Sequence, residues 1–293
     1  MNEVTAKRLA VIRHLFEKGE ALSLEGEPLN GLCLLPFHDS IEMFMKLCAD
    51  EKGVSIPRNA MFLQFYDYIP NLQDKAQMTS LNARRVSLKH HGQMPSSLDV
   101  ELTRANVIDF FEHNMPQFFG CKLEDVSLEV LIPYSEVREH LRYYHNCMND
   151  NKYGEAQAQC QIAMKVILSA FMAQNHRGHS LEHNGWPAYN AKWLQKPNLE
   201  TKTDEFLDDL REDILNINEA IYIMNLGINY FKYGEFVDLG PNVNQWLGDE
   251  PGKYFYDYCL DNESSYDEET AKACYNFVIE TALKLIGSKV FLY

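Results

Sequence analysis

Five side chains, Arg84, Arg85, Lys89, His90 and His91, carry the chemistry most readily read from this sequence. They lie in Leu81-Asn82-Ala83-Arg84-Arg85-Val86-Ser87-Leu88-Lys89-His90-His91-Gly92, beside what the pattern predicts to be a helix end. A guanidinium offers a planar fork of donors that matches phosphate, and an imidazole exchanges its proton near neutral pH. These are the parts needed to cleave RNA without a metal. The 2′-hydroxyl must lose a proton, the phosphorane must be held, and the leaving 5′-oxygen must be reprotonated. The Arg-x4-His spacing from Arg85 to His90 points to a ribonuclease, with Arg84/His90 and Arg85/His91 as alternative registers. Cations also suit a helix C-terminus for electrostatic reasons alone, but two arginines followed by Lys-His-His exceed what capping needs.

Other clusters invite chemistry less strongly. His38, Asp39 and Glu42 share one helical stretch and are candidates to hydrogen-bond back to the Arg/His site and orient it. His176, His179 and His183 with Glu182 have a spacing that a helix could turn toward one metal, but Gly178 and Gly185 interrupt it. That segment reads as a solvated loop. The aromatic runs Phe62-Phe65-Tyr66-Tyr68 and Tyr254-Phe255-Tyr256-Tyr258 offer faces for base stacking, yet core packing is the simpler account of both.

The formal charge of −15 counts against general nucleic-acid binding, because nonspecific affinity comes mostly from neutralising phosphates. A local positive site is still allowed. Between Lys75 and His91 the charged side chains are Lys75, Arg84, Arg85 and Lys89, whereas acid gathers in Asp204–Asp213 and Asp261–Glu269. The seven cysteines are scattered, odd in number and without a CxxC pair, which predicts reduced thiols and a cytoplasmic setting. Met1–Arg13 is polar and amphipathic, so no signal peptide is expected, and no apolar run reaches the roughly 20 residues of a membrane span.

The elements that would position the cluster read as helices. Apolar periodicity predicts Val4–Phe16 with a stop near Gly19, then Leu29–Ala49 with Pro36 as a kink or first-turn residue. Ala60–Ile69 reads as a short aromatic helix closed by Pro70, and Met78–His91 as a helix ending at Gly92. Ser96, Ser97 and Asp99 cap a helix from Leu98 to about Phe111. Val126–Leu131 alternates briefly and predicts a strand or an extended connector. A second block follows: Ser135–Asn149, Gly154–Ala173, a loop over His176–Glu200, the long helix Leu207–Phe231, a loop over Trp246–Tyr258, and Glu268–Leu285. The chain is therefore expected to be all-α, in two domains spanning 1–120 and 134–293.

With these residues in hand, the first block resembles the HEPN superfamily, helical bundles whose ribonuclease members carry Arg-x4–6-His near a helix end. The match is Arg85-Val86-Ser87-Leu88-Lys89-His90, preceded by Leu81-Asn82 and followed by His91-Gly92. The stretch Phe37-His38-Asp39-Ser40-Ile41-Glu42 is similar to the family's long packing helix, and the resemblance covers roughly residues 4–119. Val86 departs from the polar residue usual after the family's arginine. The resemblance implies metal-independent cleavage of RNA to a 2′,3′-cyclic phosphate, with Arg85 holding phosphate and His90 as general base or acid. Arg84, Lys89 and His91 would assist in binding, and no cofactor would be needed. It also implies a homodimer with a composite active site, and a toxin or effector of a prokaryotic defence system. The second block, with Arg138, Arg142 and His145 off the preferred spacing, reads as a degenerate HEPN-like repeat or a regulatory, partner-binding domain. The alternative is a silent HEPN-like module that binds a nucleotide or a protein.

Overall fold

The computed structural model describes residues 2–174, 201–247, 254–260 and 266–287. Ten helices and one two-stranded sheet make the described chain predominantly α-helical. Among the described residues, no helix is long and apolar enough to cross a membrane. The chain divides into two compact units, Met1–Leu131 and Ile132–Tyr293.

In the first unit, α1 (Glu3–Ser23) starts at Asn2, whose side-chain oxygen accepts from the Thr5 amide at 2.8 Å. It runs straight through Gly19, where the sequence suggested a stop. The glycine is there for packing: a Cβ at that position would lie 2.4 Å from the Phe37 ring. That ring belongs to α2 (Leu34–Glu51), which follows a 3-10 turn over Leu29–Cys33 and carries Pro36 in its first turn. A proline is tolerated there because first-turn amides have no intrahelical acceptor. The aromatic stretch is a 3-10 turn, Phe62–Gln64, followed by the single turn α3 (Phe65–Tyr68). Phe62 and Phe65 are core residues, not stacking platforms.

Next come α4 (Lys75–His91) and α5 (Ser97–Phe119). Phe44 of α2 is the centre of the core, edge-on to Phe110 and Phe111 of α5 at 5.6 and 5.5 Å. Each such buried aromatic contributes about 1.5–3 kcal/mol by burial. Val126–Leu131 is not a strand. Glu129–Leu131 forms a 3-10 turn, and Arg13 of α1 donates to the carbonyl of Val126 at 2.7 Å, an acceptor no neighbouring strand has taken.

In the second unit α7 (Tyr153–Gln174) packs against both α6 (Ser135–Asn149) and α10 (Glu268–Gly287), and Leu141, Ala163, Cys274 and Val278 are among the residues these helices bury. The helix expected over Leu207–Phe231 is two: α8 (Thr201–Asn225) ends before Gly227, which has φ +72°, and Asn229 caps α9 (Tyr230–Leu239). Where a loop was expected there is a hairpin, β1 (Val243–Leu247) antiparallel to β2 (Tyr254–Tyr258), with Trp246 opposite Phe255. The segment His176–Glu200, with its three histidines and Glu182, lies outside the described residues.

Replacing Gly19 by alanine should destabilise the fold by about 1–3 kcal/mol, because the methyl meets a buried ring that has nowhere to move. Urea unfolding checks this. An unchanged midpoint would mean that α1 and α2 do not approach as closely as described.

Candidate functional site

Helix α4 is held at both ends. Before it, Asn71 and Asp74 adopt left-handed conformations, with φ 64° and 65°. The Gln73 amide donates to Asn114 Oδ1 at 3.0 Å, and Tyr66 donates to the Gln73 carbonyl at 2.9 Å. His113 of α5 meets Asp74 Oδ2 at 2.9 Å, and that hydrogen bond raises the imidazole above its ordinary range. At the other end Gly92, with φ +66°, lets its amide return to the Leu88 carbonyl at 3.1 Å and the Gln93 amide to that of Ser87 at 3.3 Å. This closure stops the helix just after His91.

One face of α4 is apolar, with Met78 and Leu81 buried. Arg84 projects from it toward α5. Its Nε and Nη2 lie 3.1 and 3.0 Å from Asp99 Oδ1, and its Nη1 donates to Thr103 Oγ1 at 3.2 Å. Asp99 also accepts from Ser96 Oγ at 2.7 Å, and Ser96 first, with Arg84, holds its carboxyl below the usual range. Arg84 is therefore a strut between α4 and α5, already supplied with a counter-charge.

Arg85 lies about 100° further round the helix and faces α2. It is half-buried, and among the described residues no carboxylate pairs with it; its Nε is buried without a hydrogen-bond partner. Beside it is His38, buried and stacked on Phe62 with ring centroids 4.2 Å apart. Burial first, then the charge of Arg85, lowers the His38 pKa, against the opposing charges of Glu42 and Asp39 and a hydrogen bond with Asn82. His38 Nδ1 is 3.8 Å from Glu42 Oε2 and 3.7 Å from Asp39 Oδ1, too far for hydrogen bonds, and neither ring nitrogen has a well-formed partner. Each buried polar group left without a good hydrogen bond costs about 1–3 kcal/mol, so the neighbourhood of His38 and Arg85 is costly as it stands.

The remaining predicted residues sit at the end of α4. Lys89 is one turn beyond Arg85 on the same face and is exposed. His90 and His91 are exposed too, but lie about 140° and 120° from Arg85 in opposite senses around the helix. One α4 therefore unites Arg85 with Lys89, and does not place either imidazole beside Arg85.

His38, Asp39 and Glu42 are also the one set of grouped metal-type ligands among the described residues, within 4.8 Å of one another. Glu42 already accepts from Lys46 at 2.5 Å, and the guanidinium of Arg85 opposes a cation there. The donor set suits a hydrogen-bonded relay better than a divalent ion. In the second unit, Arg138 donates to the Ile132 carbonyl, His140 meets Gln159 at 2.8 Å, and His145 packs on Tyr144 and Tyr275. Compared with known proteins, the chain matches no family model, no curated sequence and no solved structure.

Sequence reasoning noticed His38, Asp39 and Glu42 but missed Asn82 and Phe62, which complete the surroundings of that histidine. It also read Asp99 only as a capping residue. Arg84→Gln should lower stability by about 1 kcal/mol, and Arg85→Gln should leave it within about 0.5 kcal/mol. Because the Asp99 pKa is lowered, the contribution of its charge is present above the ordinary carboxylate range and is lost as pH falls through the folded value. The Arg84→Gln deficit should accordingly shrink in acid. Denaturant midpoints for both variants across pH check this; equal deficits for the two arginines would contradict the division of roles.

Proposed function

We propose that this protein is a metal-independent, HEPN-type endoribonuclease, with Arg85 as phosphate clamp and His90 as proton carrier. The observation that carries the reading is the state of Arg85: a guanidinium without a carboxylate partner, one turn from exposed Lys89, on a helix end that also presents His90 and His91. An arginine kept free of counter-charge in an acidic protein is suited to an anion that arrives from outside. In the reaction, an imidazole takes the proton of the RNA 2′-hydroxyl and the 2′-oxygen attacks phosphorus. The bond from phosphorus to the 5′-oxygen breaks, and a second imidazole protonates that oxygen. The products are a 2′,3′-cyclic phosphate and a 5′-hydroxyl. Arg85 and Lys89 hold the charge that builds on the non-bridging oxygens.

The direction of His90 adds a requirement. Since a single helix turns it away from its own Arg85, a productive site needs two copies, with His90 of one protomer set against Arg85 of the other. A homodimer with two such pairs supplies base, acid and two clamps. Arg84, tied to Asp99, contributes by fixing α4 and not by binding RNA, while His91 serves the substrate's flanking phosphates.

Purified protein incubated with mixed cellular RNA in EDTA should give fragments ending in 2′,3′-cyclic phosphate. Arg85→Ala and His90→Ala should each lower the rate by about 100-fold or more. Binding of RNA without cleavage by wild-type protein would replace the enzyme by a binding module.

A further inference from the structure

We infer that α8 is a docking surface for a second copy of this chain, the two helices packing antiparallel along an apolar stripe. This pairing lies in the second unit and is independent of the ribonuclease reading, which rests on α4. Leu210, Ile214, Ile217, Ile221 and Met224 run along one side of α8, each between 37% and 57% exposed. Their separations of four, three, four and three residues are those of the a and d positions of a heptad, the seam by which one helix packs on another. The described ties between α8 and the rest of its unit fall at other positions, toward the end of the helix. Ile223 is fully buried, Tyr222 donates to the Leu168 carbonyl at 2.9 Å, and Glu219 accepts from the Tyr233 hydroxyl at 3.1 Å. A helix draws most of its stability from packing an apolar face, and the stripe is such a face without a cover among the described residues.

Two properties of the stripe select a second copy as the occupant. The first is self-complementarity. A two-fold axis set between positions 215 and 216 brings Leu210 level with Ile221 of the second copy, and Ile214 level with Ile217. Met224 falls level with position 207, which the sequence fills with leucine. Every level then joins an a position to a d position, the isologous match that a symmetric dimer requires. The second property is charge. The positions that border the stripe are Arg211, Asp213, Asn218 and Ala220, with one charge of each sign. Such an edge selects neither a basic nor an acidic partner and tolerates its own kind. Charge also sets the direction. Positions 201–213 hold six acids and two bases, whereas positions 214–225 hold Glu219 as their one charge. Parallel pairing would set two acidic halves side by side; antiparallel pairing sets each against a nearly neutral half and opposes the helix dipoles.

Sedimentation equilibrium and disulfide cross-linking of the full-length protein test this. At micromolar concentration wild type should sediment at twice the chain mass of 33.9 kDa. Ile217→Asp, which sets a charge in the seam, should weaken self-association by about 100-fold or more. Asn216→Asp, the same charge beside the seam, should leave it within about twofold, with circular dichroism confirming that both variants fold. If Ile217→Asp fails to fold, the cross-linking decides. Leu210→Cys and Ile221→Cys proteins are mixed in reductant and then oxidised. Peptide mass spectrometry should find the two introduced thiols joined to each other. Neither should join its own kind, because the levels of 210 and 221 differ by a rise of about 16 Å, beyond the roughly 7 Å that a disulfide allows between Cα atoms. A monomeric wild type would overturn the inference, its stripe covered by another part of the chain or kept for a different protein. So would a dimer as tight in Ile217→Asp as in wild type, or thiols that join like to like, which would mean parallel pairing. Neither readout depends on cleavage of RNA.

Discussion

Two adjacent arginines cannot point the same way on a helix, and the N-terminal unit is organised around that constraint. Successive side chains on α4 diverge by about 100°. Arg84 is thereby sent to α5 and Arg85 to α2. The first meets Asp99 and Thr103 and becomes part of the scaffold. The second lies beside His38 without a paired carboxylate among the described residues. Identical chemistry at neighbouring positions thus serves two different ends, decided by the helix and not by the residue type.

The surrounding fold maintains this division. The left-handed turn before α4 is fastened by Tyr66, Asn114 and His113, and Gly92 closes the other end. With both ends fixed, the helix has little freedom to rotate about its axis, so neither arginine can exchange its neighbour for the other's. The close seat of Phe37 on Gly19 holds α2 against α1, and α2 carries His38 and Glu42. The same fold leaves Arg85 Nε buried without a hydrogen-bond partner on the side of α4 that faces His38.

The helical class was legible because apolar residues recur at helical spacing through most of the chain, and the caps at Ser96 and Gly92 fall where the sequence puts them. Gly19 misled because a glycine within an apolar stripe signals a helix stop and a close approach equally well, and only the facing ring distinguishes them. The hairpin was hidden by its composition. In Tyr254–Tyr258 four of five residues are aromatic, so no alternation shows, and its partner strand is as short. At the site, the cationic cluster was visible as a run of letters, whereas the partner of Arg84 was not. Asp99 is fifteen positions away, and its local role as a cap gave sufficient reason for its presence. Likewise, nothing in a sequence tells that His38 will be buried against Phe62 without a well-formed hydrogen bond at either ring nitrogen.

We propose that Arg85 holds a phosphate of RNA while Arg84 holds the helix. Fluorescence anisotropy with a 2′-O-methyl oligoribonucleotide, which cannot be cleaved, measures this without the complication of turnover. Arg85→Gln should weaken binding by about tenfold and reduce its salt dependence, while Arg84→Gln at a temperature where it remains folded should bind nearly as wild type. Equal affinity of wild type and Arg85→Gln, or a greater loss in Arg84→Gln, would contradict the account.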